Sequence, residues 1–501
     1  MLGFVACGEV KGGTDSGIGS FTLQVSPDDA LVRQDTTIDL DVNVARTGLD
    51  ADIVVTLANP PAGVTAVPLM LAGGATTGTL ELQVAAIAAQ GPITVEIVGT
   101  AGGMTSQESI DLLIGGNPGT LDQSFGGDGT VVPTLAGTSM VGRGVTIDSQ
   151  GRVVVTGIVL SSPSQTLVVR VREDGTLDPD FGSGGIVSTG SGVVAQGFAV
   201  KTTDDAIFVA GVAGGASVND NNFGLFRYTS AGVLDATFGV GGVVSFDPGV
   251  TSLPGEFRTL DIASDGSLLV VGHTFPMNDG VTTRGLRYSQ LGVRDVTFNL
   301  TIAGNVYASA VQADGKLVLS GMRDAEILVG RYQPSGVPDS GFGAQGEVIT
   351  NFYPDASDAL GVAVLPDGKI LAAAMVGGSV RFVRYNSNGS LDVTFGTGGW
   401  VMTTLSFDGS YAFDALVVSG GKLLYVGRSG DFPAVARFHL DGTPDTSFGT
   451  GGIAAIDFGV PGSSFGVAGF GLAVDADGRI LVSAGLGDEP DQRLGVARLW
   501  P

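Results

Sequence analysis

Four short segments of the chain place an aromatic ring beside a carboxylate. An aromatic face can stack on a sugar ring, and carboxylates combined with backbone carbonyls can hold Ca²⁺. The four sets, our candidate ligand-binding residues, are Phe246 and Asp247; Phe352, Tyr353 and Asp355; Phe407, Asp408 and Tyr411; and Asp457 and Phe458. The alternative is that the rings fill space between strands while the acids cap loops.

Catalytic chemistry has one candidate base. The chain has two histidines, and His439 stands at a predicted strand end, whereas His273 opens the loop at 272–276 and joins the candidate site. The motifs G-x-S-x-G, H-E-x-x-H and C-x-x-C do not occur in the sequence, so nucleophilic and zinc chemistry have no signature. We therefore assign no catalytic and no metal-binding residues, and Ca²⁺ is the one cofactor that the pattern allows.

A second pattern pairs an arginine with an aspartate eight residues later. Fixed spacing of opposite charges in a chain with only 15% charged residues indicates a structural role, in which the arginine bonds the carboxylate or nearby carbonyls. The alternative is a ring of arginines that binds an anion. The pairs are Arg170–Asp178, Arg227–Asp235, Arg287–Asp295, Arg331–Asp339, Arg384–Asp392 and Arg437–Asp445, and Arg498 closes the set.

These residues belong to a repeat. A motif first seen as GTLDQSFGGDG at Gly119–Gly129 recurs about every fifty residues, a period typical of β-propeller blades. Each unit also has a tight hairpin, usually Asp-Gly between apolar strands, as at Pro366–Lys369, where we expect Lys369 to be exposed to solvent and apart from the charge pair. Seven motifs and seven hairpins predict seven four-stranded blades. The motif phenylalanines are Phe125, Phe181, Phe238, Phe298, Phe342, Phe395 and Phe448.

The units resemble a known propeller repeat. The motif at Gly389–Gly399, the hairpin that ends at Lys369 and the pair Arg384-Tyr385 are similar to the Delta-60 repeat of bacterial proteins. The resemblance spans about residues 117–501 and implies a fold without catalytic residues. Because the chain ends inside an Arg-Tyr-type strand, we expect the strand at Gly129–Val132 to complete the last blade and remove an exposed edge.

The part before the repeats differs. Residues 20–115 alternate apolar and polar side chains in about seven short strands, the pattern of an immunoglobulin-like sandwich. We therefore predict an all-β chain with three parts: a tether at 1–19, the immunoglobulin-like module at 20–115 and a seven-bladed propeller at 116–501. In the tether, Leu2–Gly8 resembles a bacterial lipobox, which would make Cys7 the lipidation site after removal of a signal peptide.

Composition limits the partners. The net charge of −25 argues against nucleic acid and against docking on anionic lipid through a basic patch. One cysteine excludes an internal disulfide. We expect a monomer that is secreted or lipid-anchored to the bacterial outer membrane or cell surface. Its predicted function is non-enzymatic binding of a protein or glycan through the variable loops of the propeller. The alternative is a polysaccharide hydrolase or lyase with its site at the channel mouth.

Overall fold

The computed structural model describes residues 19–135, 137–190, 195–203, 206–214, 221–247, 256–274, 281–298, 300–406, 416–460, 468–487 and 492–501. The chain divides into two compact units. The first contains the described residues up to Asn117 with Asp122–Ser124 and Trp500, and the second contains Pro118–Leu121, Phe125–Leu499 and Pro501. The described residues form strands and turns, and they include no helix long and apolar enough to cross a membrane.

The first unit consists of two sheets. One has the strand order β1-β3-β7-β5 and is antiparallel; the other has the order β2-β9-β8-β4-β6, with β2 parallel to β9. The strands are β1 (Ser20–Ser26), β2 (Asp29–Arg33), β3 (Thr36–Thr47), β4 (Ile53–Ala58), β5 (Val64–Ala66), β6 (Leu69–Leu71), β7 (Thr77–Val84), β8 (Gly91–Ala101) and β9 (Met104–Gly115).

Apolar side chains at alternate strand positions form the core of this unit. Along β1 every second residue is buried, as in a strand with one face on a core. Leu40, Val42, Leu80 and Leu82 are fully buried at its centre. The sequence runs predict β1, β3, β4, β7, β8 and β9 but miss β2, β5 and β6, because these have only three to five residues and too little alternation to detect.

The second unit continues with strands of two to nine residues. They are β10 (Thr130–Val131), β11 (Ser139–Ile147), β12 (Val153–Leu160), β13 (Gln165–Val171), β14 (Ile186–Thr189), β15 (Ala195–Thr203), β16 (Ala206–Gly214), β17 (Asn221–Tyr228), β18 (Val243–Phe246), β19 (Glu256–Ile262), β20 (Leu268–Thr274), β21 (Thr282–Tyr288), β22 (Leu300–Ala303), β23 (Asn305–Val311), β24 (Leu317–Arg323), β25 (Glu326–Tyr332), β26 (Glu347–Thr350), β27 (Ser357–Val364), β28 (Ile370–Val376), β29 (Ser379–Tyr385), β30 (Trp400–Ser406), β31 (Leu416–Ser419), β32 (Lys422–Ser429), β33 (Phe432–His439), β34 (Ile453–Ala455), β35 (Ala468–Val474), β36 (Ile480–Leu486) and β37 (Arg493–Leu499).

Consecutive strands of this unit form antiparallel sets of four. The sets are β11–β14, β15–β18, β19–β22, β23–β26, β27–β30 and β31–β34, and a further set combines β35, β36 and β37 with β10. The sets β27–β30 and β31–β34 are joined into one eight-stranded sheet, because Ser406 of β30 pairs with Arg428 of β32. The predicted pairing of the strand after the first motif with the last strand is confirmed, because Thr130 and Val131 pair with Ala497 and Val496. The first strand of each set lies against that of the next, and β35 lies against β11.

Second strands are apolar along most of their length, and third strands combine apolar residues with arginines, because neighbouring sets cover both of their faces. All residues of β20 and of β36 are buried. Between β12–β13 and β15–β17, the contact is filled by Val154, Val168, Ile207 and Phe226. Strands buried on both sides lose the polar alternation seen in the first unit.

The antiparallel strands create two faces. The turn face carries the hairpins between first and second strands and the motif turns between third and fourth strands. The loop face carries the connections between second and third strands and those from one set to the next. Loop-face connections vary in length. The connection between β22 and β23 is Gly304 alone, whereas the one between β34 and β35 comprises residues 456–467. Variation of this kind is where repeat proteins usually place their binding sites.

The arginine–aspartate pairs lie at the turn face. The Nε atom of Arg170 lies 2.7 Å from Asp178 Oδ2, and Arg331, Arg384 and Arg437 make the same contact with Asp339, Asp392 and Asp445 at 2.7 to 2.9 Å. Each of these guanidinium groups also stacks on its motif phenylalanine at 4.3 to 4.8 Å. The structural interpretation of the pairs is therefore confirmed for these four repeats.

The arginines also reach the following repeat. In each case the Nη1 atom donates to a backbone carbonyl in the next turn along the ring. These links are Arg170 to Ser230, Arg227 to Gln290, Arg287 to Pro334, Arg331 to Ser387, Arg384 to Leu440, and Arg498 to Glu173. The pairs therefore connect neighbouring repeats as well as stabilising their own motif turn.

Two expectations about these pairs are wrong. Arg287 bonds Asp265 and the hydroxyl of Ser267 rather than Asp295. The hairpin at this repeat carries Ser267 where three others carry a lysine, so it attracts the arginine instead of competing with it. Lys369, which we took for a solvated hairpin residue, places its Nζ 2.8 Å from Asp392.

Candidate functional site

The loop-face connection between β26 and β27 presents an exposed tyrosine. We call residues 351–355 the Tyr353 loop. Tyr353 is 88% exposed although it belongs to a structured turn. Its backbone N–H donates to Asn351 Oδ1 at 2.5 Å, and the Asn351 amide donates in turn to Glu326. The loop therefore holds an aromatic ring in solvent on a hydrogen-bonded support.

The neighbours of Tyr353 anchor the loop. Phe352 packs edge-on against Trp400 with ring centroids 5.8 Å apart, and the Arg381 guanidinium lies 5.0 Å from the Phe352 ring and 4.7 Å from the Trp400 ring. Asp355 Oδ2 lies 3.8 Å from Arg381 Nη2. Of the three candidates here, Phe352 is an anchor, while Tyr353 and Asp355 face solvent.

Phe246 has a packing role of the same kind. Its ring stacks on Phe223 at 6.1 Å, and Phe223 stacks on Phe257 of the next set at 4.6 Å. The Arg294 guanidinium covers Phe246 at 4.7 Å. Asp247 follows β18 and is exposed. Phe246 and Asp247 are thus neighbours in sequence, with the ring half-buried in the contact between two sets.

The remaining aromatic candidates divide in two groups. Phe458 is half-buried against Leu486 and Gly495, and Asp457 is exposed, with an oxygen 2.8 Å from the backbone nitrogen of Gly459. Phe407, Asp408 and Tyr411 lie outside the described residues, as does Cys7. The structure places the described candidate sets at separate positions along the loop face, each beside its own strand end.

His273 lies inside the protein. It is 1% exposed on β20, with its Nε2 3.5 Å from Glu256 Oε1 and its ring 6.2 Å from Tyr307. Glu256 is also paired with Arg258. Burial, and then the positive charge of Arg258, lower the pKa of His273 to about 3, while a hydrogen bond with the backbone of Val306 opposes this shift. A base with so low a pKa is poorly matched to proton abstraction near pH 7.

Sequence reasoning missed the support of the Tyr353 loop. Arg381, Asn351, Glu326 and Trp400 surround or hold it. The one available signal was Arg381, a charge that interrupts the apolar run of β29. Among the described residues, no group of three or more histidine, cysteine, aspartate or glutamate side chains is arranged to hold a metal ion.

Comparisons with known proteins agree with the fold. Residues 149–181, 365–395 and 421–448 match the model of a β-propeller domain of unknown function, DUF5122. Each matched segment begins in or beside a hairpin and ends at or near a motif phenylalanine. The chain is therefore an all-β protein that contains a β-propeller. A comparison with curated proteins finds no match.

Solved structures give distant likenesses. A quinonprotein alcohol dehydrogenase-like protein from Bacteroides thetaiotaomicron is 10% identical, with 95% of this chain and 96% of that chain covered and a TM-score of 0.38. A hypothetical protein from Leishmania major is 15% identical, with 52% of this chain and 92% of that chain covered and a TM-score of 0.26. At these TM-scores neither likeness carries a functional argument.

Proposed function

We propose that the chain is a non-enzymatic binding protein that holds a glycan on the loop face of its propeller, at the Tyr353 loop. The observation that carries the proposal is the 88% exposure of Tyr353 on a hydrogen-bonded turn. A tyrosine side chain has only two rotatable bonds, so an exposed ring on a hydrogen-bonded turn offers apolar area at little cost in conformational entropy. Asp355 of the same loop and Arg381, which lies 3.8 Å from it, supply hydrogen-bonding groups for sugar hydroxyls.

Binding is preferred over hydrolysis because of His273. The single candidate base is buried with a depressed pKa, and the candidate carboxylates that the structure describes, Asp247, Asp355 and Asp457, follow strands of different sets. A hydrolase needs an acid and a base on either side of one bond. Ca²⁺ remains a proposed accessory to glycan binding at the exposed carboxylates.

The architecture that we propose for this function has three parts. The propeller has seven blades of the Delta-60 type, one for each set of four strands. The first unit is an immunoglobulin-like spacer, supported by its two sheets of four and five strands. Cys7 is a lipidation site that tethers the chain outside the cytoplasm of a bacterium. Cys7→Ser should then release the chain from membranes, and unchanged fractionation would remove the tether.

A glycan array tests the binding proposal. The full chain should retain a defined set of glycans, Tyr353→Ala should lose them, and Tyr353→Phe should keep most of the signal because the ring is preserved. Val67→Thr, at a 78% exposed position of the first unit, serves as the control. Polysaccharide cleavage that disappears in His273→Ala would instead support the hydrolase or lyase, and retention of all glycans by Tyr353→Ala would contradict this site.

A further inference from the structure

The turn face exposes a series of large aliphatic side chains. They all lie in motif turns, where hydrogen bonds and charge pairs otherwise prevail. Their exposed fractions range from 57% to 88%. The residues are Val233, Val240, Leu291, Val293, Val296, Val337 and Val393. We call the five of the third and fourth motif turns, Val233, Val240, Leu291, Val293 and Val296, the apolar arc.

The fold does not require apolar residues at these positions. The residue after the first glycine of the motif is a valine in three successive repeats (Val233, Val293 and Val337). It is a threonine in three others (Thr120, Thr176 and Thr443) and Ser390 in the remaining one. Valine and threonine have the same branched shape and the same preference for extended backbone. The difference between them at a solvent-exposed position is polarity alone, so the valines are concentrated on one side for a reason other than local structure.

The apolar arc extends across the boundary between two repeats. Gly239 donates its N–H to the carbonyl of Leu291 at 3.0 Å, which places Val240 beside the start of the next motif turn. Val293 and Val296 belong to that same turn. Five such side chains expose on the order of several hundred Å², the size at which a contiguous apolar patch marks an interaction site.

Most charges near the apolar arc are paired. Arg227 lies 3.2 Å from Asp235, Lys316 lies 3.1 Å from Asp314, and Arg287 is bonded to Asp265. Arg294, within the fourth motif turn, stacks on Phe246. The surface around the arc is therefore close to neutral in a chain whose net charge is −25. A partner recognised through its charge would gain little here, whereas a neutral aliphatic surface complements an identical one.

We infer that the apolar arc is the contact between two copies of this chain, related by a two-fold axis. In such a dimer the same patch serves both sides, so one set of valines covers the other. Val337 and Val393 would extend each side toward the ~800 Å² that a standard interface buries per partner. The inference replaces the monomer expected from the sequence, and it is independent of the glycan site on the opposite face.

Salt distinguishes this contact from a charge-driven one. Two copies carrying −25 each repel one another, and added salt screens that repulsion while leaving the aliphatic contact in place. Dimerisation of the full chain, measured by sedimentation equilibrium, should therefore tighten between 50 and 500 mM NaCl (concentrations of the order that shortens the Debye length several-fold). A dimer that weakens with salt would contradict the apolar assignment.

Variants test the position of the contact. Val233→Thr, Val293→Thr and Val296→Thr together should weaken the dimer by about tenfold or more, and Val67→Thr in the first unit should leave it unchanged. A melting temperature equal to that of the wild type shows that the triple variant is folded. If it is not folded, Val240→Lys at an 88% exposed position provides the same test with one change. A wild-type chain that stays monomeric, or a dimer indifferent to these substitutions, would overturn the inference, even if the wild type binds a different protein.

Discussion

Asp392 receives cations from two directions. Arg384 contacts it from β29 and Lys369 contacts it from the hairpin of the same set, at 2.8 Å in both cases. Hydrogen bonds from Lys369 and then from Thr394 hold the pKa of Asp392 well below its usual range. The same arrangement recurs at Asp339 with Arg331 and Lys316, and at Asp445 with Arg437 and Lys422. Each carboxylate thus keeps one cation if the other is lost.

Arg384→Ala should destabilise the protein by about 3 kcal/mol, at the lower end of the cost of breaking a buried ion pair because Lys369 remains. The variant also loses the bond to the Leu440 carbonyl and the stacking on Phe395. Lys369→Ala should cost only about 1 kcal/mol, since it removes a partly exposed group with fewer contacts. Urea denaturation measures both, with the exposed Arg493→Ala as the control. Equal losses for Arg384→Ala and Arg493→Ala would contradict the role of the pair.

Asp358 makes the stability of the folded protein depend on pH. Burial raises the pKa of this carboxyl to about 6. The folded protein then binds more protons than the unfolded chain between pH 4 and 6, so this group makes stability fall as pH rises through that interval. His273 acts in the opposite direction, because its pKa is lowered. We therefore expect Asp358→Asn to become more stable relative to the wild type as pH rises. Melting temperatures of both proteins, measured from pH 4 to 7, test this expectation. A constant difference would argue against the raised pKa.

The features of the fold that the sequence predicts are those with a local signature in turns and strands. The motif phenylalanines and Asp-Gly hairpins have local signatures, so the repeat, its strands and the closing pair of β10 with β37 follow from the chain alone. The Arg287 contact does not, because it depends on whether a hairpin offers a lysine or Ser267. Similarly, Phe246 and Phe352 read as binding residues until their neighbours Phe223 and Trp400 are known, since packing between sets joins residues far apart in sequence.

Glycines allow one motif turn to approach the next. Gly175 has a φ of +83°, and a Cβ there would lie 2.0 Å from the backbone nitrogen of Gly126 in the preceding motif turn. Gly126 in turn donates to the carbonyl of Asp174 at 2.9 Å. Gly184 also has a positive φ, of +61°, but a Cβ there would meet nothing within 4 Å.

A comparison of Gly175→Ala with Gly184→Ala therefore separates the energetic cost of a left-handed alanine from the cost of a steric clash between two motif turns. Both variants impose the strain of a left-handed alanine, about 1 kcal/mol. Gly175→Ala must also push two turns apart, which adds roughly 1–3 kcal/mol of overpacking. Denaturant unfolding of the two variants should show this gap. Similar stabilities would mean that the turns can separate without cost.

Across the whole molecule, the last repeat is joined to the first by bonds of the same type that join the others. Arg498 Nη1 donates to the Glu173 carbonyl at 2.6 Å, and Gly449 donates to the Pro118 carbonyl at 2.9 Å. Together with the pairing of β10 and β37, these contacts connect the two ends of the second unit. Opening at this junction exposes two strand edges at once.

Arg498→Ala should weaken this junction selectively. Hydrogen exchange should become faster in both β10 and β37, while β24 and β28 in distant sets should change little, because local opening needs only the contacts of that junction to break. Arg493→Ala, on the same strand but exposed, is the matched control. Uniform acceleration in all sets would indicate instead that the unit opens only as a whole.

The arginine-to-carbonyl bonds between repeats all lie at the turn face, and this has a practical consequence for protein engineering. A loop-face segment can be exchanged for one of different length without touching the arginines, motif aspartates and carbonyls of these bonds. The Tyr353 loop and the single residue Gly304 already occupy equivalent places in successive repeats. The chain is thus suited to serve as a framework into which foreign loops are grafted and then selected for new specificities.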